Sequence, residues 1–154
     1  MKIRKATIKD FEKLKKIRTE FYLWECKRDL RSNPDYASKG LGARLGRNLK
    51  QNNILFPIAE KNSEIVAYLG AEILKNPAWV NFKKRGHIFN IYVRPKYRNK
   101  NIATLLIKEA LKWFKSNNVS DLMIMAYENN HVAKRIYKKF GFRKYISELT
   151  KILK

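Results

Sequence analysis

Residues 91–104 read Ile-Tyr-Val-Arg-Pro-Lys-Tyr-Arg-Asn-Lys-Asn-Ile-Ala-Thr, and this stretch decides the fold. Residues 87–93 are mostly apolar and predict a strand, whereas helical spacing of apolar residues from Ala103 to Phe114 predicts an amphipathic helix. The turn between them carries four cations: Arg94, Lys96, Arg98 and Lys100. The first amides of a helix have no internal acceptor and lie at the positive end of the dipole. Strand, basic turn and helix together predict a phosphate site, with an ordinary solvated turn as the alternative.

A second stretch, residues 130–142, reads Asn-His-Val-Ala-Lys-Arg-Ile-Tyr-Lys-Lys-Phe-Gly-Phe. Its apolar residues recur at helical spacing up to Phe140, and Gly141 then stands where helices end in the left-handed conformation. Residues 122–127, between the two predicted helices, are apolar throughout, as in a strand that is covered on both faces.

These stretches resemble the two signatures of the GCN5-related N-acetyltransferases, the GNAT family. The acetyl-CoA signature Arg/Gln-x-x-Gly-x-Gly/Ala is matched by Arg98, Asn101 and Ala103, with Asn101 in place of the usual Gly. Asn tolerates left-handed backbone geometry better than other non-Gly residues, so the loop shape is expected to survive. Residues 130–142 are similar to the second signature, Asn-x-x-Ala-x-x-x-Tyr-x-x-x-Gly-Phe, with every anchor present.

The resemblance implies an α/β (α+β) fold in a single N-acetyltransferase domain spanning residues 1–154. The sheet is expected to be mixed and mostly antiparallel, with about four flanking helices. Its two parallel central strands, residues 88–93 and 122–127, are expected to splay apart at a β-bulge in the first of them.

The remaining elements follow from periodicity and turn residues. Thr7 and Asp10 resemble a helix cap, and Pro57 predicts an edge or bulged strand. The predicted strands are residues 2–6, 54–60, 65–74 and 143–153, and the predicted helices are residues 11–27 and, more weakly, 38–52.

The 154 residues include 35 Lys and Arg against 13 Asp and Glu, which gives a net charge of +22. Such a charge favours polyanions, and coenzyme A is one. The basic residues are spread along the chain, so a solvated basic surface is preferred to a dedicated nucleic-acid site. Apolar runs are too short to cross a membrane, and the first residues lack the apolar stretch of a secretory signal. With one cysteine, Cys26, we expect a cytoplasmic protein without disulfide or metal and without a membrane partner.

The resemblance implies acetyl-CoA as cosubstrate, with the pantetheine arm along the strand and the pyrophosphate on the amides of residues 98–104. The coenzyme-binding residues implied are Ile91, Tyr92, Val93, Arg98, Asn99, Lys100, Asn101, Ile102, Ala103, Thr104, Asn130, Ala133 and Tyr137. Asn130 is expected to bond the pantetheine arm, with a helix N-cap as the alternative.

Acetyl transfer needs a neutral amine, a polarised thioester carbonyl and a proton for the leaving thiolate. The family often places a Glu base six residues before Val93, and here that residue is His87, whose imidazole is a sensible base at neutral pH. The resemblance implies that Tyr137 donates a proton to the thiolate and that the Val93 amide polarises the carbonyl. The alternatives are a structural His87 and a Tyr137 that only packs in the core.

The resemblance implies an acceptor amine that lies across the splay and touches the first two helices and the loop before the fourth strand, with these candidate residues: Tyr22, Glu25, Asp29, Trp79 and Phe82. Glu25 and Asp29 lie four apart on one helical face, as an amine-binding pair would, although Lys27, Arg28 and Arg31 could simply neutralise them. The positive field disfavours polycationic acceptors such as polyamines.

The preferred function is direct transfer of an acetyl group from acetyl-CoA to a primary amine of a small molecule, protein or peptide. The alternative is a catalytically degenerate GNAT-fold module that binds nucleic acid or the ribosome, which Asn101 and His87 keep open. A third possibility is an acetyltransferase whose basic surface docks on nucleic-acid-bound protein substrates. A homodimer is possible in this fold.

Overall fold

The computed structural model describes residues 1–153, in two compact units: Met1–Met123 and a unit that begins at Ile124. The strands are β1 (Lys2–Lys5), β2 (Ile54–Leu55), β3 (Pro57–Lys61), β4 (Glu64–Lys75), β5 (Lys84–Val93) and β6 (Asp121–Ile124). The helices are α1 (Phe11–Cys26), α2 (Tyr36–Lys39), α3 (Leu41–Asn48), α4 (Ile102–Ser116) and, in the second unit, α5 (His131–Lys139). No helix in the described part of the chain has the length and apolarity to span a membrane.

The six strands form one sheet in the order β1-β3-β4-β5-β6, with β2 paired to β4 beside β3. The pairs β1–β3, β2–β4, β3–β4 and β4–β5 are antiparallel, whereas β6 neighbours β5 through the crossover helix α4. Crossover connections of this kind join parallel strands. The predicted fold class, a mixed and mostly antiparallel sheet with flanking helices, is confirmed.

The prediction of one helix over residues 38–52 is wrong, because the segment forms α2 and α3 with Gly40 between them. The Tyr36 ring lies where a side chain at Gly40 would stand, so the glycine admits this aromatic contact. The edge position suggested by Pro57 is also wrong. Pro57 opens β3, which lies between β1 and β4 and is separated from β2 by Phe56. The bulged alternative does not hold for β3 either, because Ala59 pairs with Ala67 and Glu60 with Ile65, which leaves the extra residue, Val66, on β4.

The predicted last strand, residues 143–153, is not a strand, and the strand expected at residues 122–127 ends at Ile124. A strand needs a hydrogen-bonded neighbour, and the paired sheet ends at β6. Apolar side chains of this segment are instead exposed, Tyr145 by 84% and Leu149 by 94%.

The two faces of the sheet in the first unit carry different partners. Tyr68 of β4 and Tyr92 of β5 both contact Phe21 of α1, which defines the α1 face. On the opposite, α4 face, the space above Gly86 is filled by Phe114 of α4. Because side chains alternate along a strand, residues 68, 70 and 72 of β4 share the α1 face.

A β-bulge interrupts β5, as predicted for this strand. Gly70 pairs with Asn90 whereas the next residue, Ala71, pairs with Ile88, so Phe89 is the extra residue. The Phe89 ring lies against Gly70 and packs edge-on to Phe56, with 5.9 Å between ring centroids.

We expect Gly70→Ala to lower the free energy of unfolding by about 1–3 kcal/mol, because the new methyl group overlaps the Phe89 ring. Gly46→Ala in α3 is the control. Its methyl would meet only Phe11 at 3.5 Å, and the better helix propensity is expected to add about 0.5–1 kcal/mol. Denaturant unfolding of both variants measures the difference, and equal stabilities would contradict the assigned role of Gly70.

Candidate active site

The second half of β5 presents backbone groups to a ligand rather than to the sheet. The Arg94 amide donates to the Val66 carbonyl at 3.0 Å, continuing the register that pairs Tyr92 with Tyr68. In an antiparallel ladder the alternate residues, here Ile91 and Val93, turn their amides and carbonyls away from β4. The Val93 carbonyl accepts instead from Arg98 Nε at 3.1 Å.

Contacts between β6 and β5 lie before the bulge. Arg85 Nε donates to Asp121 Oδ2 at 2.6 Å, and Leu122 packs over Gly86. The separation of the two strands beyond the bulge stays a prediction, as does the binding of a pantetheine arm along Ile91 and Val93.

The turn after β5 has the backbone shape of a phosphate loop. Asn99 and Asn101 have φ values of 59° and 57°, so the left-handed geometry predicted for Asn101 is present. The first amide of α4 with a helical partner is that of Leu105, which donates to the Asn101 carbonyl at 3.1 Å. The preceding amides of Ile102, Ala103 and Thr104 lie at the positive end of the helix and remain as donors.

The four cations predicted for this turn do not act alike. Arg94 is turned to the α1 face, where it pairs with both oxygens of Glu20 at 2.8 and 2.9 Å, so it is not part of a phosphate site. Lys96 and Lys100 lie over the Tyr97 ring, at 5.3 and 5.8 Å from its centroid. Arg98 is exposed and approaches the Trp24 ring at 5.8 Å. Of the four, only Arg94 pairs with a carboxylate among the described residues, and the other three stay candidates for binding phosphate.

His87 forms a hydrogen-bonded pair with Glu72, its register partner on β4. The distance between His87 Nδ1 and Glu72 Oε1 is 2.9 Å, and the two side chains are 12% and 21% exposed. A carboxylate accepts the Nδ1 proton and leaves Nε2 as the lone-pair nitrogen. His87 Nε2 is buried and has no hydrogen-bond partner among the described residues. The role of His87 as the base stays a prediction.

Among the predicted acceptor residues, Glu25 has a carboxyl pKa well above its ordinary value. Burial, and then the charge of Asp29, raise the pKa of Glu25 to about 7. Asp29 is paired with Arg31 at 3.6 Å, so the neutralising alternative holds for Asp29, whereas Glu25 forms no ion pair among the described residues. The Tyr22 hydroxyl donates to the Asn33 carbonyl at 3.0 Å, and burial raises its pKa.

The structure does not bring Trp79 and Phe82 to the α1 residues. Trp79 is 85% exposed, and Phe82 lines an open groove with residues that include Lys84 and Asn118. Both lie in the loop between β4 and β5, whose length and polarity let apolar side chains reach solvent.

In the second unit, Asn130 Oδ1 accepts from the Ala133 amide at 3.1 Å and so caps α5. This matches the N-cap alternative, and the role of Asn130 and Ala133 toward coenzyme stays a prediction. Tyr137 is half-buried, contacts Phe142 edge-on at 6.3 Å, and burial raises the pKa of its phenol to about 12. The phenol is therefore protonated at neutral pH.

Sequence reasoning missed Glu72, Arg18 and Tyr68. Glu72 meets His87 only because of the register set by the bulge, which no local pattern announces. Arg18 could have been found from the helical spacing of α1. Core-facing spacing along α1 runs through the residues Phe11, Leu14, Arg18, Phe21 and Glu25, so two charged residues occupy an otherwise apolar stripe.

Comparison with known proteins bears directly on this site. The family model described as "Acetyltransferase (GNAT) family" matches residues 46–142, well over half of the chain. The chain belongs to the GNAT acetyltransferase family. The match includes β5, the αL turn, α4 and α5, so the GNAT coenzyme signatures and these elements coincide.

The GNAT relatives differ in their named substrates. A spermidine N(1)-acetyltransferase from Thermoplasma acidophilum is 25% identical over 150 residues, 93% of this chain and 88% of that protein. An N-alpha-acetyltransferase from Saccharolobus solfataricus is 28% identical over 105 residues, 63% of this chain and 61% of that protein. A predicted acetyltransferase from Clostridium acetobutylicum, solved with acetyl-CoA, has a TM-score of 0.81 and 27% identity, covering 98% of this chain and 95% of that one. This protein is accordingly an acetyl-CoA-dependent acetyltransferase.

Proposed function

We propose that this GNAT enzyme acetylates a primary amine by direct attack on acetyl-CoA, without an acyl-enzyme. The observation that carries the proposal is the bulged strand β5. One side of it holds the His87–Glu72 pair, and its edge at Ile91 and Val93 leads into the turn and free amides that suit a pantetheine pyrophosphate.

In the proposed reaction, His87 Nε2 takes a proton from the acceptor ammonium, directly or through one water. The neutral amine attacks the thioester carbonyl, whose developing negative charge is stabilised by the Val93 amide. The C–N bond forms, the C–S bond breaks, and coenzyme A leaves as a thiolate, while the nitrogen of the collapsing tetrahedral intermediate releases its second proton to solvent. Glu72 keeps the Nδ1 proton in place and stabilises the imidazolium that forms.

We propose that Tyr137 donates its hydroxyl hydrogen toward the departing thiolate. A phenol with a pKa of about 12 is a weak acid, so complete proton transfer to sulfur is uphill. Its contribution is therefore a hydrogen bond that strengthens as charge develops on sulfur, with solvent completing the protonation. Asn130 and Ala133 are proposed to bind the pantetheine arm.

The acceptor is proposed to bind near α1, with Tyr22, Glu25 and Asp29 among its contacts. The two relatives named above act on a polyamine and on protein N-termini according to their names, so both classes enter the first screen. The net charge of +22 disfavours the polyamine. The alternative of a degenerate nucleic-acid module loses the support of Asn101, since this residue keeps the left-handed turn.

Calorimetric titration with acetyl-CoA, with ATP as a polyanion control at moderate salt, tests the coenzyme site. We expect saturable one-site binding of acetyl-CoA and no comparable binding of ATP. Equal binding of both would mean that only the basic surface acts, and it would favour the degenerate module.

The turn itself is tested by two substitutions at one position. Asn101→Val is expected to weaken acetyl-CoA binding about tenfold or more, because a β-branched residue disfavours φ near 57°. Asn101→Gly keeps that geometry and is expected to bind within about threefold of the wild type. The dissociation constants measure the effect, and equal constants for the two variants would remove the turn from the coenzyme site.

A further inference from the structure

Arg18 is a buried cation without an anion. It lies on the core-facing side of α1 with 7% of its surface exposed, and its Nε and Nη1 have no hydrogen-bond partner. A buried guanidinium without a counterion is destabilising, because nothing offsets the cost of removing its charge from water. Among the described residues no carboxylate pairs with it. Glu25 lies seven residues, or about 10 Å, further along the helix.

The groups around Arg18 are polar, cationic or aromatic, and none of them is an anion paired with it. The Tyr68 hydroxyl, fully buried on β4, lies close enough to Arg18 and to Glu25 to be affected by both charges, but its geometry falls short of a full hydrogen bond to Arg18. Arg44 of α3 and Tyr36 of α2 are further charged and polar neighbours of the guanidinium, and Phe56 faces it at 5.3 Å from the ring centroid. Arg44 is exposed, so a second cation stands on the solvent side.

The position of this cluster relates it to acetyl transfer. Tyr68 is the register partner of Tyr92, which lies between Ile91 and Val93, the residues proposed to hold the acetyl-pantetheine arm. Adjacent strands are about 5 Å apart, so a group held over Tyr68 on the α1 face lies within about 10 Å of the thioester. His87 and Glu72 occupy the same face.

We propose that Arg18 and Tyr68 form an anion subsite of the acceptor pocket, so that the natural acceptor is an amine carrying a carboxylate or a phosphate. This inference rests on the proposed function and specifies its substrate class. The guanidinium would bind two oxygens of the anion, and the Tyr68 hydroxyl would donate to one of them. A polycation such as spermidine would leave both groups unpaired and add repulsion from Arg44.

The test compares acceptors in matched pairs: glycine with glycinamide, the other amino acids with their amides, and phosphoethanolamine with ethanolamine, with spermidine as the polycation. An acid and its amide also differ in the basicity of their amines. We therefore take the ratio of kcat/KM for the acid to kcat/KM for the amide, and compare this ratio between the wild type and the variant. We expect Arg18→Met to lower the preference for the acidic member about 10- to 100-fold, with the KM for acetyl-CoA unchanged. The pair that responds most distinguishes carboxylate from phosphate.

Two further variants distinguish binding of the anion at Arg18 from a general loss of positive charge. Arg47→Met removes the same charge from an exposed position on α3 and is expected to leave the preference unchanged. Tyr68→Phe is expected to lower the preference several-fold. In addition, Arg18→Met is expected to raise the thermal unfolding midpoint, since it removes an unpaired buried charge, whereas a purely structural arginine would lose stability on substitution.

Three outcomes would overturn the inference: wild-type enzyme that prefers amides or spermidine, a folded Arg18→Met variant that keeps the preference, or an equal loss with Arg47→Met. The first is decided without any variant. If no amine is acetylated although acetyl-CoA binds, the proposed function fails instead. The subsite is then decided by whether glycine and phosphoethanolamine raise the unfolding midpoint of the wild type but not of Arg18→Met.

Discussion

Replacing His87 by alanine is expected to lower kcat/KM for the acceptor by about 10²- to 10³-fold, while the dissociation constant for acetyl-CoA stays within about twofold. The lost group is the proposed base, and general-base catalysis contributes factors of this size. The effect should be smallest at high pH, where more of the acceptor amine is already neutral. Initial rates between pH 6 and pH 10 measure it.

The chain provides a matched control for this substitution. His131, the second of its two histidines, is exposed at the start of α5 and has no proposed role, so His131→Ala should retain activity within about twofold. Glu72→Gln is expected to cost less than His87→Ala and to change the pH profile, since Glu72 acts through the imidazole. Unchanged turnover in His87→Ala would make His87 a structural residue and would leave Glu25 as the candidate base.

Tyr137→Phe is expected to lower kcat about 30- to 100-fold, with little change in acetyl-CoA affinity. Removal of one hydroxyl leaves the ring packing against Phe142 in place, so the loss reports on the leaving thiolate. Because the raised pKa makes this phenol a weak acid, we expect a loss of kcat at the low end of what acid catalysis usually contributes.

Leaving-group chemistry can be tested separately from folding. An acyl donor whose thiol is more acidic needs less help from Tyr137, so the difference between wild type and Tyr137→Phe should shrink with that donor. Tyr145→Phe, at an 84% exposed position, is the control and should behave as wild type. Equal turnover of wild type and Tyr137→Phe with acetyl-CoA would remove Tyr137 as the donor.

Sequence patterns predicted correctly those elements whose structure depends on residues close to one another in the chain. The helical stripe of α4, the strand β5 and the left-handed turn at Asn101 depend on side-chain periodicity and on one residue's conformational tolerance, all of which can be read in sequence. The pair of Thr7 and Asp10 is a similar case: the Thr7 amide donates to Asp10 Oδ2 at 2.8 Å, and the pair caps the 3₁₀ turn Ile8–Asp10 that leads into α1.

What could not be predicted depends on long-range partners. Glu72 and His87 are fifteen residues apart, and only the register across β4 and β5 brings them together. Arg94 looked like a phosphate ligand because its partner Glu20 is 74 residues away in sequence. The strand expected at residues 143–153 fails for the same reason, because its alternation is compatible with a sheet but supplies no neighbour to bond it.

The bulge at Phe89 determines on which side of the sheet the proposed base lies. His87 and Tyr92 are five positions apart, so strict alternation would place His87 on the side of Phe114 and Tyr92 on the side of Phe21, with the sheet between the base and the acceptor pocket. The bulge absorbs one position, so both side chains lie on the α1 face. Deleting Phe89 together with the bulge would leave His87 four positions from Tyr92 and keep both on one face, whereas inserting one residue between them with the bulge retained would move His87 to the opposite face. For this fold, a one-residue insertion in β5 is therefore a more drastic change of active-site chemistry than most substitutions.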